Sequence, residues 1–234
     1  MDSSAVLSSW LPIGHDGFEG FLALPPAGAG PGLLLWQEIF GVNAHIRAVA
    51  EQYALAGFVV LAPDVFWRQA RRVELGYEGD ERQRGRDLAA RLQADTLQAD
   101  IRSAVDVLRA LPASAGRKTG SVGYCLGGRL AYLSAAHTDL DAAVAYYGGG
   151  IHDQLALAPR IRGAMQFHYA ELDDHIPLDA VAKVRDAMAG QAAEVHVYGG
   201  ARHGFNCWAR ATYHAPSAAL ALGRSLTFLA ERLF

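Results

Sequence analysis

Cysteine is scarce in this sequence of 234 residues, which has only Cys125 and Cys207. The opening stretch, Met1 to Trp10, has no basic segment followed by an apolar core, so no secretory signal is read there. Two cysteines with no export signal imply free thiols rather than a disulfide. Long apolar runs are missing too. Nothing approaches the roughly 20 residues that a helix needs to span a bilayer. Charge of neither sign is in excess, since 21 Lys and Arg against 24 Asp and Glu leave a formal charge of −3. With no basic block, nucleic acid is not an expected partner. The nine histidines include no Cys/His/Asp spacing typical of a metal site, and neither metal nor cofactor is expected. No segment reads as a linker, a repeat or a low-complexity tract longer than the Ala/Gly/Pro loop at 25–31. The expectation is one cytoplasmic domain over 1–234, with no membrane partner, monomeric or a weak homo-oligomer.

Hydrophobic residues make up 51% of the chain, enough for a core around a buried sheet. Apolar runs of strand length alternate with helix-length segments, the pattern of an α/β protein with a mostly parallel sheet. Strands are predicted at 18–24, 32–36, 58–62, 118–123, 142–147, 164–168 and 194–198. Helices are predicted at 45–56, 126–136, 178–188 and 216–233, with one or two more between 78 and 109.

The strongest local signal is Gly123-Tyr124-Cys125-Leu126-Gly127-Gly128. It has the form G-x-nucleophile-x-G, with Cys where serine hydrolases carry Ser, between a predicted strand and a predicted helix. Such a turn strains the nucleophile's backbone, so its neighbours must be small, and Gly123 and Gly127 are. The N–H groups opening the helix at Leu126 favour a thiolate and later an oxyanion. Taken alone, the same residues also fit a Gly-rich turn holding an inert, buried Cys.

In this fold an acid and a histidine follow the nucleophile in that chain order. Asp173 and Asp174, just past the strand at 164–168, are both candidate acids. His203 follows in the Gly-flanked loop after the strand at 194–198. Both positions lie where parallel strands end, the edge on which such sheets carry their sites. The histidine would move protons and the acid would hold its tautomer.

These residues resemble the dienelactone hydrolase (carboxymethylenebutenolidase) family of α/β-hydrolases. The resemblance covers nearly the whole chain. It rests on Gln37 to Asn43, Ala62-Pro63-Asp64, Val122 to Gly128, Asp173 to Pro177, and Gly200 to Phe205. It implies the α/β-hydrolase fold and a cofactor-free hydrolase of small esters or lactones. The D-x-x-[IV]-P stretch selects Asp173, four residues before Pro177, as the acid. The resemblance further implies that Glu38 sits beside the nucleophile and accepts the thiol proton when substrate binds. The other reading of Glu38 is a loop carboxylate capping the helix that starts near Asn43. The N–H groups of Leu126 and Ile39 are the implied oxyanion donors.

Family members hold a substrate carboxylate between two arginines. Arg84 matches the first, although an Arg in so charged a helix also fits simple solvation. The second position is Cys207 here, and Arg210, three residues on, is the nearest candidate replacement. An aromatic pair of the family's pocket appears as Leu88 and Arg91, while Tyr146 and Phe40 are expected to line the substrate site. The chemistry therefore transfers more fully than the substrate. Small carboxylate-bearing lactones are the expected substrates. The alternatives are a broad carboxylesterase or thioesterase of the same fold and, more remotely, a catalytically silent binding protein.

Overall fold

Leu33, Leu34 and Leu35 run consecutively through the strand Gly32–Trp36, and all five residues of that strand are buried. An uninterrupted apolar strand needs cover on both faces, which is the signature of a parallel sheet under helices. In the computed structural model, which describes residues 5–14 and 16–234, that is the arrangement found. Residues 1–4, at the start of the stretch read for a signal, lie outside the described residues. The chain divides into two compact units, Met1–Gly120 and Ser121–Phe234.

In the first unit, β1 (Leu7–Pro12) pairs antiparallel with β2 (Glu19–Leu24), and β2 pairs antiparallel with β4 (Val59–Pro63). β3 (Gly32–Trp36) pairs parallel with β4. Between them runs α1 (Ala44–Leu55), whose N-cap is Asn43: the Ile46 N–H donates to its side chain at 3.1 Å. The capping role considered for Glu38 therefore belongs to Asn43, since an Asx side chain at that position satisfies a donor the helix cannot. The charged stretch at 78–109 forms two helices, α2 (Gly79–Ala90) and α3 (Ala94–Ala110). α3 buries Leu97, Ile101, Ala104, Val105 and Leu108, a stripe at helical spacing that packs on β3 and β4. α2 buries only Gly85 and Leu88. Gly85 lies so close to the Ile39 carbonyl oxygen that a Cβ there would sit 2.4 Å from it. Glycine thus lets α2 press against the segment carrying Ile39.

The boundary between the units falls inside β5 (Thr119–Tyr124). In the second unit the strand order runs β5, β6 (Ala142–Tyr146), β7 (Ala164–Ala170), β8 (Ala193–Tyr198). β7 pairs parallel with both β6 and β8. α4 (Leu126–His137) covers β6 from one side, and α6 (Ala215–Leu233) packs on β6 and β7. α5 (Leu178–Ala187) joins β7 to β8, and short 3₁₀ turns at Ile151–Asp153 and Leu155–Arg160, unmarked in the sequence reading, precede β7.

Candidate active site

Cys125 and Tyr147 directly follow β5 and β6, while Asp173 and His203 lie on the loops that follow β7 and β8. One edge of the second unit therefore presents all four.

Cys125 has φ 56° and ψ −113°, a conformation that L-residues rarely adopt. Such backbone costs of order 1–3 kcal/mol and persists only where surrounding contacts over-determine it. Here the Cys125 N–H donates to the Tyr146 carbonyl at 3.0 Å, and its own carbonyl accepts from Gly128 at 3.0 Å and Arg129 at 3.3 Å. The turn is thus held from both sides and passes directly into α4. A Cβ on Gly128 would fall 2.4 Å from the Tyr146 carbonyl oxygen and 2.9 Å from the Gly148 Cα. The last glycine of the elbow is therefore there for close packing against the end of β6. Leu126 is the first residue of α4, so its N–H has no acceptor one turn back within the helix. Cys125 is half-buried and Cys207 fully buried, and both are free thiols.

Asp173 is buried, and its carboxylate is held by three donors. Oδ1 accepts from the backbone N–H of His175 at 2.8 Å and of Ile176 at 3.2 Å. Oδ2 accepts from His203 Nδ1 at 2.8 Å. The neighbouring Asp174 points outward and sits 3.7 Å from Arg202, with 83% of its side chain exposed. Of the two acids left open by spacing alone, Asp173 is the one that reaches the histidine.

His203 is nearly enclosed, with a side chain 12% exposed. Burial disfavours its charged form. That effect is outweighed by attraction to the Cys125 sulfur as thiolate, hydrogen bonds to Asp173 and Cys125, and the Asp173 charge, so its pKa rises to about 10. The imidazole ring also meets two aromatic neighbours: Tyr147 with centroids 5.0 Å apart at 60°, and His175 at 5.1 Å and 84°. Because the folded pKa lies above the unfolded value of about 6.5, the charged His203 stabilises the fold most fully below about pH 6.5. That contribution is lost as pH rises through about 10. Urea denaturation between pH 6 and 10 should show the wild type losing stability relative to His203→Gln across that window. Parallel curves for the two proteins would contradict the assignment.

The loop bearing His203 is pinned to the loop bearing the acid. Gly200 N–H donates to the Glu171 carboxylate at 2.8 Å, and Leu172 N–H donates to the Ala201 carbonyl at 2.9 Å. Beyond His203, successive backbone turns carry the chain from Gly204 to His214, whose N–H returns to the Phe205 carbonyl at 3.0 Å. Arg210 folds back within this segment, and its guanidinium lies over Gly204, where a Cβ would come within 2.3 Å of Nη1. This charge is therefore carried beside the histidine's own backbone.

The remaining expected residues differ in how the structure treats them. Arg84 lies exposed on α2, next to the Gly85 that packs on Ile39. No ion pair to Arg84 is found among the described residues. Phe40 is buried, its ring 4.6 Å from that of Tyr77. Glu38 is 1% exposed. Tyr146, expected to line the substrate site, is held within the interior. It is fully buried, its hydroxyl lies 2.7 Å from Ser225 Oγ, and its ring stacks on His168 at 4.4 Å. The chain leaves the strand after Tyr146, so Tyr147 is the tyrosine that meets His203. The apolar run continues through Tyr147, so the strand predicted at 142–147 ends one residue later than the strand that forms. Glu171, which anchors the histidine loop, is not legible in the sequence, since nothing in its local pattern sets it apart.

His168, at the core of this region, bonds Tyr198, Gln166 and Ser225 through its two ring nitrogens. Burial first, and then the charges of His196 and Arg224, push its pKa well below the usual value. It is a neutral core histidine.

Comparison with known proteins comes to the same place. The sequence profile described as "Dienelactone hydrolase family" matches residues 18–233. Carboxymethylenebutenolidase of Pseudomonas putida is 37% identical over 222 residues, spanning 93% of this chain and 92% of its own. A solved structure from Klebsiella pneumoniae superposes with a TM-score of 0.87 at 28% identity, covering 97% of this chain and 99% of that one. A dienelactone hydrolase from Anabaena variabilis superposes at 0.71 and 18% identity, over 98% and 99% of the two chains, a likeness of fold alone. The architecture is that of the α/β-hydrolases.

Proposed function

Since the chain belongs to the dienelactone hydrolase family and is a hydrolase of ester or lactone bonds, we propose that it works through a Cys125–His203–Asp173 triad and a thioester acyl-enzyme. The observation that carries this reading is the linked set of a strained Cys125, a His203 hydrogen-bonded to it, and Asp173 at 2.8 Å from His203 Nδ1. One catalytic domain over 1–234 is part of the proposal, supported by a family match that runs through both units.

In the first step the Cys125 thiolate attacks the carbonyl carbon and the oxygen takes the charge. The N–H groups of Leu126 and Ile39 are assigned to that oxyanion, and loss of one such donor costs about 2.7–4 kcal/mol. His203 Nε2 then protonates the departing oxygen, which in a lactone stays tethered to the acyl group. The neutral imidazole next takes a proton from water, hydroxide attacks the thioester, and the acid leaves with the thiolate restored. His203 carries a proton of its own through this cycle, so the proton that leaves the thiol needs a separate acceptor. We assign that proton to Glu38, a carboxylate that is buried in the fold. The cycle balances without metal or cofactor. A burst of nitrophenolate from p-nitrophenyl acetate, equal to the enzyme present, tests the acyl-enzyme; a purely linear trace counts against it.

Small lactones bearing a carboxylate are the substrates we propose, with Arg84 and Arg210 as candidate carboxylate ligands. A hydrogen bond from Arg to carboxylate is worth about 1.5–3 kcal/mol. Arg84→Ala should therefore raise KM for an anionic lactone about ten- to a hundredfold and leave neutral aryl esters nearly unchanged. A second reading, the broad carboxylesterase, is favoured by one observation: Cys207, at the second arginine position, is fully buried. Equal effects of Arg84→Ala on neutral and anionic substrates would select it. We further propose a cytoplasmic enzyme, monomeric or weakly self-associating, with no nucleic acid or membrane partner. Free thiols at both cysteines fit that setting. No helix of the described residues is long and apolar enough to cross a membrane.

A further inference from the structure

Tyr147 combines three properties that none of its neighbours share. It is fully buried, it is a non-glycine residue with φ 36°, and its ring lies 5.0 Å from His203 at 60°. Glycine adopts such a φ without strain, and three glycines follow at 148–150, yet this position carries a large ring. Its backbone is fixed from below, where the Tyr147 N–H donates to the His168 carbonyl at 2.7 Å. Its ring is fixed from the side by Phe205 at 5.4 Å and Tyr124 at 6.2 Å. The strained turn thus delivers a clamped aromatic surface to one ring, the imidazole.

We propose that Tyr147 is a positioning residue for His203, its ring holding the imidazole at the tilt in which one nitrogen meets Asp173 and the other meets Cys125. The inference rests on His203 being the proton carrier of the proposed reaction. An aromatic quadrupole beside a desolvated cation also favours the imidazolium over the neutral ring. The other titratable or charged groups around His203 in this unit are few. Cys125 lies at the start of α4, while Asp173 and His175 lie on the loop after β7. On its own loop, Arg202 is drawn off toward Asp174 at 3.7 Å, and Arg210 lies over Gly204. Asp173 and Cys125 set the charge; Tyr147 is the rigid neutral surface that sets the angle.

Tyr147→Phe and Tyr147→Leu separate ring from bulk, since both keep the same backbone strain. NMR titration of the His203 imidazole and the kinetics of p-nitrophenyl acetate hydrolysis are the readouts. Tyr147→Leu should lower the His203 pKa by about half a unit or more and cut kcat about three- to tenfold, with KM little changed. Tyr147→Phe should stay within about twofold of wild type in kcat, because the ring remains. A Leu variant titrating like wild type, or a Phe variant as impaired as Leu, overturns the proposal. Should Tyr147→Leu fail to give a cooperative melt, Tyr147→Met takes its place, and the Phe result alone can still refute the idea. The titration is made on the resting enzyme. It tests the Tyr147–His203 link even if Cys125→Ala retains turnover and the catalytic reading fails.

Discussion

Cys125→Ala should lose about 10⁴- to 10⁶-fold in kcat, the scale seen when a nucleophile is removed from a triad that acts as a unit. The variant should fold normally, since alanine removes one sulfur from a half-buried site and leaves the backbone bonds to Tyr146, Gly128 and Arg129 in place. One equivalent of iodoacetamide should inactivate the wild type and label Cys125. Cys207, fully buried, should resist the reagent until the protein unfolds. The two thiols differ in their surroundings: one lies at a helix start within hydrogen-bonding reach of an imidazolium, the other in the interior. Label found on Cys207 with activity intact, or Cys125→Ala turning over at wild-type rate, would remove the nucleophile from the proposal.

The second large effect is expected at Asp173. In Asp173→Asn the amide oxygen can still accept from the N–H groups of His175 and Ile176, so the loop should keep its shape. Its NH₂ group then faces His203 Nδ1 and forces that nitrogen to become the acceptor. The proton moves to the nitrogen facing Cys125, the wrong tautomer for a base, and such changes reduce kcat by about 10⁴-fold. Asp174→Asn removes only an exposed ion pair with Arg202 at 3.7 Å, a contact worth about 0–1 kcal/mol. Its kcat should stay within about twofold of wild type. If Asp174→Asn proves the more damaging of the two, the acid has been assigned one residue too early.

Much of this is legible in the amino-acid sequence, and the reasons differ from residue to residue. The elbow could be read because its demands are steric: a strained nucleophile between a strand and a helix needs glycine at the flanking positions, and glycine is a visible letter. Strands β3 and β4 could be read because burial on both faces makes the apolar run continuous. The choice between Asp173 and Asp174 needed the family resemblance, because adjacent side chains diverge and spacing says nothing about which turns inward. The Tyr146–Tyr147 pair shows the limit most clearly. Two identical letters stand at a strand end, and which one reaches His203 depends on a backbone angle, φ 36° at Tyr147, that no pattern of residue types encodes. The break between α2 and α3 was similarly ambiguous. Residues 91–93 contain neither Gly nor Pro, and only burial separates a sparsely packed α2 from a well-packed α3.

The segment after His203 returns to its own start, with the His214 N–H on the Phe205 carbonyl. Its two ends are thereby stapled together independently of what lies between them. Residues 206–213 include Trp208 and Tyr213, exposed at 47% and 42%, as well as the Arg210 that folds over Gly204. Asn206 and Cys207 are buried and tie the segment's start to the interior, so the part open to exchange without moving the histidine is 208–213. Selection could then alter what such an enzyme accepts while the machinery that breaks the bond is inherited intact.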